Sequence, residues 1–118
     1  MTTHDVAKQL VLLLRKGEFE TIYNDLYHAE KIHHIEPQSE HFADLKGVQA
    51  LRDKDAMIIP NVEKMENLTI GDPIISGDYI GLTYKVDITL KDGTFLPMDE
   101  IIMYKVEDGK IVLEQFFY

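Results

Sequence analysis

The stretch Met103-Tyr104-Lys105-Val106-Glu107-Asp108-Gly109-Lys110-Ile111-Val112-Leu113-Glu114-Gln115-Phe116-Phe117-Tyr118 decides how this chain folds. Two alternating segments flank Asp108-Gly109, and Asp-Gly in that setting is the strongest short-range signal for a two-residue type I′ hairpin. A turn of fixed length sets the register, and the register sets which residues share a face. It predicts Val106 opposite Ile111, Tyr104 opposite Leu113, Ile102 opposite Gln115 and Glu100 opposite Phe117. Glu100 and Gln115 then interrupt an otherwise apolar face, the pattern of a binding-cavity wall.

Upstream of this hairpin, Tyr79–Leu90 alternates Ile80, Leu82, Tyr84, Val86, Ile88 and Leu90 with polar Thr83, Lys85, Asp87 and Thr89. Asp92-Gly93 turns it into Phe95–Val106. If that turn also held two residues, Leu90 would face Phe95 and Val86 would face Asp99, which makes the odd positions of the second strand the inner ones. The C-terminal hairpin instead makes Leu96, Met98, Glu100, Ile102, Tyr104 and Val106 the inner set. A bulge near Phe95–Pro97 or a longer first turn reconciles the two. In a regular strand only one of Asp99 and Glu100 can point inward.

The N-terminal half has the helical period. Thr3 is a plausible N-cap for a helix to about Lys16, with Val6, Leu10, Leu13 and Leu14 on one stripe and Gly17 just past its end. A second helix from about Phe19 buries Phe19, Ile22, Tyr23, Leu26 and Tyr27 by the same spacing. Lys31–Glu36 reads as a strand stopped by Pro37, and residues 38–46 as a polar loop. Val48 and Leu51 suggest a third helix after Gly47, ended before Pro60. Asn61–Ile70 and Pro73–Ser76 read as strand segments. Helices first and a meandering sheet afterwards make an α+β domain with helices packed on one face.

The bulk properties narrow the partners. The chain has 118 residues, no cysteine and a formal net charge of -9. This acidity argues against nucleic acid and against an anionic membrane surface. Lack of cysteine excludes disulfides and thiolate chemistry. No basic leader precedes an apolar run at the N-terminus, so a cytoplasmic location is the expectation. Ile101, Met103, Val112 and Phe116 make the other face of the hairpin apolar as well, which predicts a homodimer packing through the outer sheet face.

The order of elements resembles the SnoaL-like branch of the nuclear transport factor two-like superfamily. Three motifs carry the resemblance: Gly17-Glu18-Phe19-Glu20; Leu26-Tyr27-His28-Ala29-Glu30 with Ile35-Glu36-Pro37; and Met98-Asp99-Glu100-Ile101 leading through Tyr104-Lys105-Val106 and Asp108–Val112 to Glu114-Gln115-Phe116-Phe117-Tyr118. The resemblance covers nearly the whole chain. It implies a cystatin-like, cone-shaped domain in which a curved mixed or antiparallel sheet wraps about three N-terminal helices, with a cavity opening at one end. Its members include polyketide cyclases, ketosteroid isomerase, epoxide hydrolases and dehydratases, alongside non-enzymatic binding domains, so the fold leaves the function open.

Within that frame Glu36, before Pro37, stands where ketosteroid isomerase carries its proton-moving carboxylate, and burial would make it more basic. His34 shares its strand phase and could form an acid–base pair with it, while His33 points the other way. Glu100, or Asp99 in the other phase, stands where the isomerase has an acidic hydrogen-bond donor for an enolate oxygen. Tyr23, Tyr27, Tyr84 and Tyr104 fall on apolar stripes and could aim hydroxyls inward, although core packing is the commoner role. Met98, Ile102, Gln115 and Phe117 complete the expected ligand-binding wall. The spacing of the five histidines fits no compact metal pattern, so no metal or organic cofactor is expected. Two readings follow. One is a cofactor-independent isomerase, cyclase or lyase acting on a largely apolar small molecule. The other is a non-catalytic ligand-binding or dimeric interaction domain.

Overall fold

The computed structural model describes residues 1–118. Helix α1 (Thr3–Lys16) starts with a reciprocal capping box, in which the Asp5 N–H donates to the Thr2 hydroxyl and the Thr2 N–H donates to the Asp5 carboxylate. The cap is thus Thr2, one residue before the expected Thr3. Gly17 ends the helix in the left-handed conformation. Helix α2 (Phe19–Asp25) follows. Helix α3 (Val48–Ile58) runs into a 3-10 turn at Ile59–Asn61, where Pro60 cannot continue the α-helical ladder.

The strands are β1 (His33–Ile35), β2 (Asp44–Lys46), β3 (Val62–Ile70), β4 (Ile74–Ser76), β5 (Tyr79–Leu90), β6 (Phe95–Glu107) and β7 (Lys110–Phe117). They form one open, mixed sheet in the order β2-β1-β7-β6-β5-β3, with β4 added to β5. β2 lies inside the segment expected to be a loop. It pairs antiparallel to β1, which in turn runs parallel to β7. Val6, Leu10 and Leu14 of α1, Ile22 and Leu26 beside α2, and Val48 and Leu51 of α3 join the inner residues of β5, β6 and β7 in one core. No helix is long and apolar enough to cross a membrane.

Two turns set the phase of the sheet. Between β5 and β6 the Leu90 N–H donates to the Thr94 carbonyl and the Gly93 N–H to the Leu90 carbonyl, leaving Lys91, Asp92 and Gly93 as a three-residue loop. This is the longer of the two expected turns. It puts Val86 opposite Met98, Lys85 opposite Asp99 and Tyr84 opposite Glu100. Asp99 therefore faces outward and is exposed, while Glu100 faces the core.

Between β6 and β7 the expected turn forms, with both Asp108 and Gly109 at positive φ, and Val106 pairs with Ile111. The regular register then fails after one pair. The ladder slips between Lys105 and Val106, so that Lys105 faces Leu113, Tyr104 faces Glu114, Ile102 faces Phe116 and Ile101 faces Phe117. The expected pairs of Tyr104 with Leu113, Ile102 with Gln115 and Glu100 with Phe117 are corrected accordingly. Val112 is the extra residue of a β-bulge, and one extra residue turns every later side chain to the opposite face. Glu114 and Phe116 move inward; Leu113, Gln115 and Phe117 move outward.

Gly93 has φ +90 and nothing within 4 Å of where its Cβ would stand, so a side chain there meets no neighbour and strains only the backbone. Gly93→Val should lower stability by about 1–2 kcal/mol, seen as a lower urea midpoint at unchanged slope.

Candidate functional site

A cavity of about 200 Å³ lies between the helices and the inner sheet face, and 16 of its 21 lining residues are hydrophobic. The other five are His34 of β1, Lys54 and Asp55 of α3, Glu100 of β6 and Glu114 of β7, and Tyr84 of β5 and Tyr104 of β6 bring hydroxyls. Tyr23 and Tyr27 add hydroxyls from α2 and the residues after it.

Sheet pairing brings the charged groups together. In the parallel β1–β7 ladder His34 is the partner of Glu114, and Glu114 is the antiparallel partner of Tyr104. Glu36 lies two residues beyond His34 on the same face. The His34 ring is 1% exposed and bridges two carboxylates, with Nδ1 3.1 Å from Glu114 Oε1 and Nε2 3.0 Å from Glu36 Oε1. Only the imidazolium has an N–H for each. Burial alone depresses the His34 pKa, but the hydrogen bonds to Glu114 and then Glu36 outweigh it and the pKa is raised. Phe116 packs against the ring at 4.9 Å between centroids.

The outer carboxylate and the inner one are both saturated. Glu36 Oε1 also accepts from Lys54 Nζ at 3.2 Å, and Oε2 accepts from the Tyr118 hydroxyl at 2.5 Å. Burial opposes its charge, yet His34, Tyr118 and Lys54 together hold the Glu36 pKa down to about 2. Glu114 Oε2 accepts from the Tyr27 hydroxyl at 2.6 Å. Tyr23 donates to Asp55 at 2.7 Å. The carboxylates near His34 are thus occupied by one another's partners, and no group of three donors stands ready to hold a metal ion.

Glu100 is different. It is 5% exposed, lines the cavity opposite Tyr84 and has no hydrogen-bond partner in the protein. Burial, followed by the negative charge of Glu36, pushes its pKa up to about 7 in spite of Lys54 and His34. The same burial pushes Tyr84 up to about 12, and Tyr104 is raised well above the ordinary phenol value. Both hydroxyls therefore stay protonated through the neutral range and keep a hydrogen to donate.

Of the residues singled out from sequence, His34, Glu100, Tyr23, Tyr27, Tyr84, Tyr104, Met98 and Ile102 line the cavity. Glu36 is in contact with His34 but lies behind it, outside the lining. Asp99 points away from the core near Lys85. Gln115 and Phe117, expected on the wall, sit on the outer face because of the Val112 bulge, and Phe116, expected outside, lies within. Glu114, Lys54, Asp55 and Tyr118 were not anticipated. Spacing could have suggested Lys54 and Asp55, which follow Leu51 by three and four residues on α3; Glu114 required the bulge.

Three helices against one face of an open mixed sheet, with a cavity between, are the fold of solved neighbours described as nuclear transport factor two-like and cystatin-like. The family model of the SnoaL-like domain matches residues 1–118, and the chain belongs to that family. A Mesorhizobium loti structure, provisionally described as a SnoaL-like polyketide cyclase, is 30% identical over 100% of both chains with a TM-score of 0.90. A nuclear transport factor two-like protein from Burkholderia pseudomallei has a TM-score of 0.79 at 12% identity, covering 100% of this chain and 91% of its own. TerC, co-crystallised with polyporic acid, has a TM-score of 0.77 at 16% identity, over 98% of this chain and 90% of that one. No curated protein matches the chain.

The opposed carboxyl pKa values give opposed effects of pH on stability. The Glu36 pKa is lowered, so its contribution is complete above the ordinary value of 4.5 and is lost as pH falls through about 2. The Glu100 pKa is raised, so the folded state loses stability as pH rises from 4.5 through about 7. Glu100→Gln removes that loss. The variant should exceed the wild type at pH 8 by up to about 3 kcal/mol in urea unfolding, with the advantage vanishing at pH 4. His34→Ala should act in the other direction at pH 7, costing roughly 3–5 kcal/mol by leaving Glu36 and Glu114 without the cation between them.

Proposed function

We propose that the cavity binds a small, largely apolar molecule through an oxygen atom and that Glu100 moves a proton on it, without metal or organic cofactor. The observation that carries this reading is a buried carboxyl, free of protein hydrogen bonds, in an apolar cavity beside two protonated tyrosines. A general base works best when its pKa lies near the operating pH, and the pKa of Glu100 does. As carboxylate, Glu100 takes a proton from a carbon next to a carbonyl. Tyr84 and Tyr104 donate hydrogen bonds to the oxygen that becomes negative. Proton removal to an enolate is the common core of isomerase, cyclase and lyase chemistry, and in an isomerase the neutral carboxyl then returns the proton to another carbon. Glu36, the base expected from sequence, is tied to three donors and has the wrong pKa for the task. In this reading Glu36, His34 and Lys54 are a fixed charged frame. The co-crystallisation of TerC with polyporic acid supports ligand binding by this fold.

Hydrogen exchange into simple ketones tests the proposal whatever the natural substrate is. Small cyclic ketones and enones incubated in D2O should incorporate deuterium at the α position, followed by NMR. The rate should climb with pH and level off above about 7. Glu100→Gln should slow exchange by about 100-fold or more, a usual general-base contribution, and Glu36→Gln by less. Equal rates for wild type and Glu100→Gln would falsify the catalytic role; binding of the same ketones without exchange would leave a ligand-binding domain.

We also propose that the outer face of β6 and β7, with Ile101 and Phe117 both exposed, carries a homodimer contact. Ile101→Lys should then shift sedimentation from dimer to monomer, and a wild type that sediments as monomer at all concentrations would rule the contact out.

A further inference from the structure

The cavity changes character along its length. β5 and β6 pair in register along its sheet wall, so position along them measures depth: Glu100 lies beside Tyr84, Met98 beside Val86 and Leu96 beside Ile88. Tyr84 and Ile88 are four residues apart, about 13 Å at the usual strand rise. Ile88 in turn pairs with Met65 of β3. The carboxyl and hydroxyl groups of the sheet belong to the inner part, at Tyr84, Glu100 and Tyr104. From Met98 outward the sheet residues that line the cavity are apolar, ending in Met65 and Val62.

The helical wall ends in the same way. Lys54 and Asp55 are engaged by Glu36 and Tyr23, and the lining then continues as Ile58 and Ile59. Three of these lining residues also face solvent: Ile58 is 38% exposed, Ile59 57% and Met65 47%. A side chain that both lines a cavity and meets water marks its mouth. This mouth is an apolar patch continuous with the cavity, and such patches mark binding surfaces.

We infer that the ligand is an amphiphile, with an oxygen-bearing head at Glu100 and Tyr84 and an apolar tail running over Met98 and Ile88 to the Ile59–Met65 rim. The inference rests on the function proposed above and names the substrate class of that site. Pocket size bounds what can be enclosed. Pockets that enclose a drug-sized ligand measure roughly 300–1,000 Å³, and this one measures about 200 Å³. A ligand larger than the head site therefore extends onto the rim. There each added methylene covers side chains that otherwise face water, which strengthens binding by about 3- to 4-fold.

The experiment is a series of 2-alkanones, from 2-pentanone to 2-undecanone, titrated into wild type, Tyr84→Phe and Ile59→Asp by NMR or calorimetry. In the wild type the dissociation constant should fall by about 3- to 4-fold per methylene to the end of the series. Tyr84→Phe should weaken all members by a similar factor, about 5-fold, through loss of one hydrogen bond to the ketone oxygen. Ile59→Asp should cause a loss that grows with chain length and exceeds about 10-fold for 2-undecanone. A constant that stops falling beyond 2-hexanone, with the Tyr84→Phe effect intact, overturns the tail and leaves the head site standing. An Ile59→Asp variant that binds the whole series as wild type but sediments as a smaller species makes the rim a subunit contact and overturns the inference. Long ketones that bind equally well to Tyr84→Phe overturn the head placement, whereas the proton-moving role of Glu100 stands or falls separately on the deuterium exchange above.

Discussion

The interior of the site depends on one extra residue in β7. Were Val112 to take a regular place in the ladder, the alternation begun at Ile111 would turn Leu113 and Gln115 inward and leave Glu114 in solvent. The bulge reverses that alternation and puts Glu114 between Tyr104 of β6 and His34 of β1. From there the contacts follow in sequence: Tyr27 and His34 on Glu114, Glu36 on the far side of His34, Lys54 and Tyr118 on Glu36. A buried cation with one carboxylate removed is strongly destabilising, so the bulge and the histidine require each other.

That network divides the carboxyl groups into two kinds. Glu36 has a donor at every oxygen and is held near 2, whereas Glu100 has no protein partner and is pushed up to about 7. Both are partly removed from water, and the difference arises from hydrogen bonds and neighbouring charge. The satisfied carboxylate also raises the unsatisfied one, since the Glu36 charge is the second cause of the Glu100 shift. Two acids whose surroundings drive their pKa values apart provide separate chemical roles at one pH. In this domain the fixed charge lies behind His34, and the titrating group faces the cavity.

Much of the architecture was legible in local pattern. The apolar stripes of α1 and α2, Gly17 and Pro60 marked the helices, and the period of two located β5 and β6 to within a residue. The choice between Asp99 and Glu100 was legible as a choice, because two hairpins gave conflicting phases, and the three-residue turn at Gly93 resolved it. β2 was not legible: three residues with charges at both ends carry no strand period, and they pair only because β1 offers an open edge. Glu114 was misplaced because a bulge leaves no local signature in Ile111-Val112-Leu113, where any of the three could be the extra residue.

By itself, then, the sequence determined the α+β class, the SnoaL-like resemblance and which strands form hairpins, because these follow from periodicity, turn residues and short-range pairing. It also determined that an acid would interrupt the inner face of β6. Only the tertiary structure decided what surrounds that acid. The parallel contact of β1 with β7 joins residues 80 positions apart, and Glu36 ends up bonded to His34, Lys54 and Tyr118 while Glu100 has no hydrogen-bond partner in the protein. A carboxyl group's basicity is a property of its surroundings in space, and those surroundings come from strands that are distant in sequence.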